Sequence, residues 1–339
     1  MNKIKVVLVA PARNVSGGPE SIQQLGMALL EHHYDVKIKY IDGGIPDKFK
    51  DYNIPVTDAI MDDDDTVVIV PEVFTYLLKE FNHVKKVIWW LSVDNYISFL
   101  PESRIAKTLR NKSLPEWLSP LLMYRYRFSS RKQEFFDVYR FDDNKVKHLY
   151  NAEYVKDFLI KHGVLEESCY FLTPPISDEY INVDVNILKK QDVIAYNPAK
   201  GYEYLEPVMK RLKSLNSSYK FIAIRNMTNE EVASLLVSAK IYIDLGSFPG
   251  PDRIPRQAAL CFCNILTSRD GAAGNHFDLP IPDEYKFNKQ DTNLIANKLN
   301  EMLKNYDNEY VNFNEFRDII IKQKNEYVNR CVRFIESFN

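Results

Sequence analysis

Apolar runs of strand length alternate with helix-period segments from one end of this chain to the other, and no other feature restricts its fold so much. "KIKVVLVAP" reads as a strand buried on both faces, and "PESIQQLGMALLEHH" follows with Ile22, Leu25, Leu29 and Leu30 on one helical face. "DVKIKYI", "TVVIVP" and "VKKVIWWLS" supply three further strands. Near-continuous apolar strands separated by amphipathic helices are the pattern of βαβ units and parallel sheets.

The alternation resumes after a basic stretch with "NKVKHLYNAEYVKDFLIKHGV", in which Gly163 is placed to end a helix. It then repeats through "DVIAYNP", "YLEPVMKRLKSL", "YKFIAIR", "NEEVASLLVSA", "KIYIDLGS" and "NILTS". Pro174 and Pro175 block a continuous helix and mark the junction between the halves. We therefore expect an α/β protein of two doubly wound, Rossmann-like domains facing a cleft, spanning residues 1–174 and 175–318. A last helix, residues 319–339, carries Ile320, Tyr327, Cys331, Phe334 and Phe338 along a stripe that suits packing back on the first domain.

Charge and composition remove several classes of function. A net charge of −2 argues against a nucleic-acid partner, whose footprint is a basic domain. The sequence has no uninterrupted apolar run long enough to span a bilayer, and its N-terminal apolar segment is short for a signal peptide, so the expected location is cytoplasmic. Cys169, Cys261, Cys263 and Cys331 have neither zinc spacing nor the pattern of a small disulfide scaffold, and read as reduced, mostly buried thiols. One local exception to neutrality runs from Arg104 to Lys132, where eight Lys and Arg face one acid, Glu116, with Trp117, Leu121, Leu122, Tyr124 and Phe128 interleaved. Two readings stay open there: peripheral docking on an anionic membrane surface at its inner face, or apolar side chains packed on the domain with the cations solvated.

Ligands of open α/β sheets collect beyond the carboxyl ends of the strands, so the strand-to-helix loops carry the candidate chemistry. After the first strand, Gly17 and Gly18 allow backbone N–H groups to approach an anion, and Pro19 suits the start of a helix. After "VIAYNP" stand Lys200 and Gly201. After "IYIDLGS", Arg253 and Arg256 flank Pro255, which fits the first turn of a helix. Cations at a helix N-terminus oppose the helix dipole unless an anion intervenes, and a diphosphate is the simplest one; salt bridges to Asp244 or Asp252 are the alternative. Arg256 is expected to be exposed. Gly271 and Gly274 form a second glycine loop after "NILTS", with His276 close behind.

Asp94 and Asn95 follow the fourth strand and have the shape to hold sugar hydroxyls, with helix capping by Asp94 as the alternative. Trp89 and Trp90, inside that strand, are expected in the core, and Asp62 to Asp65 precede a strand and read as a solvated turn. Neither G-x-G-x-x-G nor G-x-x-x-x-G-K-[ST] occurs, so dinucleotide and P-loop nucleotide sites are not indicated.

"SGGPES", "NPAKG" and "PGPDRIPRQAALCFCNILTS", in this order and at these edges, resemble the GT-B glycosyltransferases, in the branch whose donor segment carries two glutamates eight residues apart. "HLYNAEYVKDFLIKHGV" is similar to the end of their N-terminal domain, so the resemblance covers nearly the whole chain. Pro249 and Gln257 stand where those glutamates would be. The resemblance implies a metal-independent, retaining transfer of a sugar from a nucleotide diphosphate sugar to a glycan or lipid-linked acceptor, as in cell-surface polysaccharide synthesis. It implies a donor site of Gly17, Gly18, Lys200, Arg253, Arg256, Gln257 and Gly271, with Asp94 and Asn95 as the catalytic pair that positions the acceptor, and no cofactor besides the donor substrate. A nucleotide-sugar epimerase on the same fold and a non-catalytic subunit that binds a partner transferase are the alternatives.

Overall fold

The computed structural model describes residues 4–13, 16–127, 145–216 and 218–339. The chain divides into two units, one of Met1–Asn151, Val155–Pro174 and Tyr327–Asn339, the other of Ala152–Tyr154 and Pro175–Glu326.

The first unit is built on six parallel strands: β1 (Lys5–Pro11), β2 (Asp35–Ile41), β3 (Thr66–Pro71), β4 (Lys85–Trp90), β5 (Val146–Tyr150) and β6 (Cys169–Phe171), in the order β2-β1-β3-β4-β5-β6. β1 and β3 lie inside the sheet and are covered on both faces, which is why they read as unbroken Val, Leu and Ile runs rather than alternating ones. Helix α1 (Gly17–Glu31) buries Ile22, Leu25, Ala28 and Leu29 against the β1 side chains Val6 and Leu8. It begins two residues before Pro19. Trp89 and Trp90 are fully buried on β4, and Trp90 Nε1 donates to His148 Nδ1 at 3.0 Å, so both belong to the core. Helices α2 (Val93–Phe99), α3 (Pro101–Asn111) and α4 (Ser119–Arg127) follow β4, and α5 (Glu153–Lys161) follows β5 and runs up to Gly163, whose φ of 88° only glycine adopts readily. Of the basic stretch, Phe128, Arg131 and Lys132 lie outside the described residues, as does the side chain of Arg127.

The second unit holds β7 (Gln191–Tyr196), β8 (Lys220–Ala223), β9 (Ala239–Asp244), β10 (Asn264–Ser268) and β11 (Lys286–Phe287), parallel and ordered β11-β10-β9-β7-β8. Its main helices are α6 (Tyr202–Leu215), α7 (Asn229–Ser238), α8 (Arg253–Leu260) and α9 (Thr292–Lys304). The buried Lys190 ammonium donates to Leu236 O (2.8 Å), Ala239 O (2.7 Å) and Cys261 O (2.5 Å), satisfying carbonyls where α7 and α8 end. Cys261 and Cys263 are buried beside it, and burial pushes the Cys261 thiol up to about 12, far from the thiolate that redox chemistry needs.

The last helix, α10 (Asn314–Glu336), is continuous. From Tyr327 onward its buried residues Tyr327, Cys331, Phe334 and Ile335 join the first unit's core with Leu8, Val36 and Trp89.

Candidate functional site

In each sheet the strand order reverses at one point, and a crevice opens there because the adjoining loops leave in opposite directions. The reversal falls between β7 and β9 in the second unit and between β1 and β3 in the first.

In the second unit, three loops meet at the carboxyl ends of β7, β9 and β10. Gly201, with φ 62°, caps α6, and a Cβ on it would lie 2.5 Å from the carbonyl carbon of Leu245. Ser268 Oγ donates to Gly246 O at 2.6 Å, and Ala272 N to Phe248 O at 2.8 Å, tying the loop after β10 to the loop after β9. Gly271, with φ 66°, sits so close that a Cβ would approach Phe248 O to 2.2 Å. Only glycine satisfies both the dihedral and the gap at these two positions.

Lys200 stands over this junction. Its Nζ is paired with the Asp252 carboxylate, donates to Ser247 O at 3.4 Å and lies 5.7 Å from the centre of the Phe248 ring. Asp252 is the residue before α8, so the lysine is held at that helix's positive end. Below it, the buried Asp244 accepts from Gly246 N (2.9 Å) and Tyr242 Oη (3.0 Å), and burial pushes its carboxyl up to about 6.

α8 starts at Arg253, so Pro255 is its third residue, in the first turn, and Arg256 its fourth. The expectation that Arg256 is exposed fails: it is 3% exposed, packed against Gln323 and Phe316. Its Nη2 donates to Gln323 Oε1 at 3.2 Å, and it lines a small hollow with Phe248, Asp252, Ala273, Asp278 and Phe316. Burial, with Arg253 adding repulsion, lowers its guanidinium to about 9. Arg253 is half-buried at the first turn, and Gln257, also half-buried, lies one residue beyond Arg256. His276 is exposed, 3.8 Å from Glu315, and outside this junction's contacts.

The first unit has a second polar edge. Ser92 Oγ accepts from Asn95 N at 3.1 Å and caps α2, so Ser92 performs the capping considered for Asp94. Asp94 is half-buried in the first turn, and Asn95 is exposed. Sequence reasoning missed Glu72, the residue after β3, which is 4% exposed and accepts from Leu91 N at 3.0 Å. Burial pushes its carboxyl up to about 7, with hydrogen bonding at the carboxylate opposing the shift. The available signal was an acid directly behind the buried run "TVVIVP". Gly17 and Gly18 open α1 without positive φ, and a Cβ on Gly18 would rest in ordinary contact, 3.6 Å from Leu91 Cδ1. At the other end of the sheet Asp62 accepts from Asn82 N (2.9 Å), His83 N (2.8 Å) and Val84 N (3.1 Å), which assigns it to a turn.

A glycosyltransferase from Rickettsia africae superposes on the chain with a TM-score of 0.65 at 12% identity, covering 100% of this chain and 99% of that one. The fold is GT-B. HepE of Anabaena, solved with UDP-glucose, has the same fold at a TM-score of 0.62 and 11% identity, over 98% of this chain and all of that one. WaaG, a glycosyltransferase involved in lipopolysaccharide biosynthesis, gives 0.59 and 11%, over 98% and 99%. The sequence matches no family model and no curated protein. Within this GT-B fold, Lys200, Gly201, Gly246, Asp252, Arg256 and Gly271 form one contiguous junction in the second unit, while Glu72, Ser92 and Asn95 form another in the first.

Proposed function

We propose that this chain is a glycosyltransferase that moves a sugar from a nucleotide diphosphate sugar to a glycan or lipid-linked acceptor. The observation that carries the reading is the placement of Lys200 and Arg256 around the N-terminus of α8, at the β7–β9 strand reversal, with glycines at the adjoining backbone. As the anomeric C–O bond breaks, negative charge builds on the terminal phosphate oxygen. Lys200, Arg253, Arg256 and the positive N-terminal end of α8 offset that charge, the role a divalent cation plays in other sites. Gln257 offers an amide to the ribose hydroxyls, and Gly17 and Gly18 line the donor with backbone N–H groups. Asp94 and Asn95 orient the acceptor hydroxyl.

HepE and WaaG support a nucleotide-sugar donor and a cell-surface glycan product by analogy of fold. Docking on an anionic membrane from the cytoplasmic side is supported by the exposure of Trp117 (76%), Leu121 (63%) and Tyr124 (65%), with Lys107, Lys112 and Arg125 exposed among them. None of the helices is long and apolar enough to cross a membrane among the described residues.

The test is calorimetric titration with uridine, guanosine, adenosine and thymidine diphosphates in chelator. One of them binds, and Lys200→Met weakens that binding at least tenfold; no binding by any of the four removes the reading. Pro249 and Gln257 favour a second reading, a non-catalytic subunit, which binds the nucleotide or its sugar without turning it over. Release of an isomerised donor without acceptor identifies an epimerase instead.

A further inference from the structure

Two buried cations stand at the carboxyl end of α8, opposite the end that carries the donor junction. Lys190 Nζ donates to Cys261 O, and Arg317 Nη1 donates to Ala259 O at 3.5 Å. Tyr306 Oη donates to the next carbonyl, Phe262 O, at 2.6 Å. The last carbonyls of a helix carry its negative partial charge, so these donors complement the dipole from the end that no ligand needs to reach. The turn they hold is strained. Phe262 has φ 60°, a left-handed conformation that a bulky side chain seldom adopts and where glycine is usual. Its N–H donates to Ala259 O and Cys263 N donates to Ala258 O, both at 2.9 Å, and the Arg317 guanidinium lies 4.6 Å from the centre of its ring. The bend from α8 into β10 therefore keeps its shape because the surrounding side chains fix it.

Lys190 reaches furthest of the three. It stands directly before β7, and its two other acceptors, Leu236 O (2.8 Å) and Ala239 O (2.7 Å), belong to the end of α7 and the first residue of β9. One ammonium thus ties the starts of β7 and β9 to the end of α8, at the amino edge of the sheet. At the carboxyl edge the same three elements carry the donor junction, with Lys200 after β7 and Asp252, after β9, at the start of α8. A helix of eight residues is a rod of about 12 Å, so a displacement of its last turn is carried to its first. We propose that Lys190 is a positioning residue of the donor site: by gripping the last turn of α8 against the starts of β7 and β9, it fixes where the first turn stands beside Lys200. This rests on the glycosyl-transfer reading above and adds to it a residue, at the far edge of the sheet, that never touches substrate.

Three variants of the full chain test it. Lys190→Met removes the donors and keeps the length of the side chain. Tyr306→Phe removes one hydroxyl from the same turn and is the milder change. Leu299→Ala, fully buried in α9, lowers stability through a cavity and leaves the hydrogen bonds of this turn in place. Calorimetry well below each melting transition measures affinity for whichever of uridine, guanosine, adenosine and thymidine diphosphate the native protein binds. Lys190→Met is expected to weaken it about fivefold, as when α8 keeps its competent position about a fifth of the time, with a smaller loss in Tyr306→Phe and none in Leu299→Ala.

Amide hydrogen exchange without nucleotide, followed by NMR, is the second measurement. In Lys190→Met the amides of Gln257 to Leu260, which close the first turns of α8, should exchange faster together with those of Phe262 and Cys263. Unchanged affinity in Lys190→Met, an equal loss in Leu299→Ala, or faster exchange confined to Phe262 and Cys263 overturns the proposal. If Lys190→Met does not fold, Tyr306→Phe decides by the same two measurements, and native values in both overturn it. No binding by the native protein removes the transferase reading instead, and the exchange result then decides alone whether Lys190 fixes the first turn of α8.

Discussion

Lys200 Nζ is paired with the carboxylate of Asp252, joining the loop after β7 to the residue that precedes α8. A lysine held this way is placed before a ligand arrives, so an incoming diphosphate meets a fixed cation rather than a mobile one. Both partners keep access to solvent, 29% and 22% at the side chain, so the pair itself contributes little to stability. Lys200→Met should weaken nucleoside diphosphate binding at least tenfold, about 1.4 kcal/mol, and leave the melting temperature within a few degrees. Calorimetry and a thermal melt on the same sample check both statements.

Gly271→Ala tests the junction rather than the charge. The new Cβ meets Phe248 O at 2.2 Å in a backbone of φ 66°, so both the contact and the dihedral are unfavourable. The expected loss is about 2 to 4 kcal/mol by urea denaturation, from strain plus displacement of the Phe248 loop. Gly18→Ala, which has ordinary contact distances, should cost less than about 1 kcal/mol and serves as the comparison.

Arg256 is buried against Gln323, so its removal affects the fold as well as the ligand. Arg256→Ala should lower stability by roughly 2 kcal/mol or more through lost packing and an unpaired Gln323. The native protein should gain thermal stability from the diphosphate that binds it, and the variant should gain none. An equal shift in both proteins removes Arg256 from the donor site.

Two buried acids set the pH dependence of stability. Burial raises Glu72 from its usual 4.5 to about 7 and Asp244 from 3.8 to about 6. Between those limits the folded chain retains protons that the unfolded chain has released, so stability falls as pH rises from about 4 toward 7. Glu72→Gln should flatten that decline by up to about 3 kcal/mol, reckoned at 1.36 kcal/mol per pH unit. Urea midpoints at pH 5 and pH 8 measure it.

Lys107, Lys112, Arg125 and the aromatic residues Trp117 and Tyr124 are all exposed in the stretch after α2. Each cation near an anionic surface contributes about 1 kcal/mol, and inserted aromatic rings add to it. The protein should sediment with anionic vesicles at low salt, and Lys107→Glu, Lys112→Glu and Arg125→Glu together should release it. Equal sedimentation by the triple variant assigns the stretch to another role.

The longer strands were legible in the sequence, because a strand covered on both faces requires an unbroken apolar run, as "KVVLVAP" and "TVVIVP" show, whereas the short edge strands β6 and β11 carry no such run. Chain direction then dictates that the loops carrying Gly17, Asp94, Lys200, Arg253 and Gly271 emerge at carboxyl ends, since every strand pair is parallel. The partners of those residues were not legible. Glu72 meets Leu91 across 19 residues, Lys200 meets Asp252 across 52, and Arg256 meets Gln323 across 67. Periodicity reports which face of a residue's own element is apolar, and that is a local property. Which distant side chain fills the space opposite depends on strand order and on how the helices pack, so the inward Arg256, the Asp252 hold on Lys200 and the Glu72–Leu91 contact were decided by the tertiary structure alone.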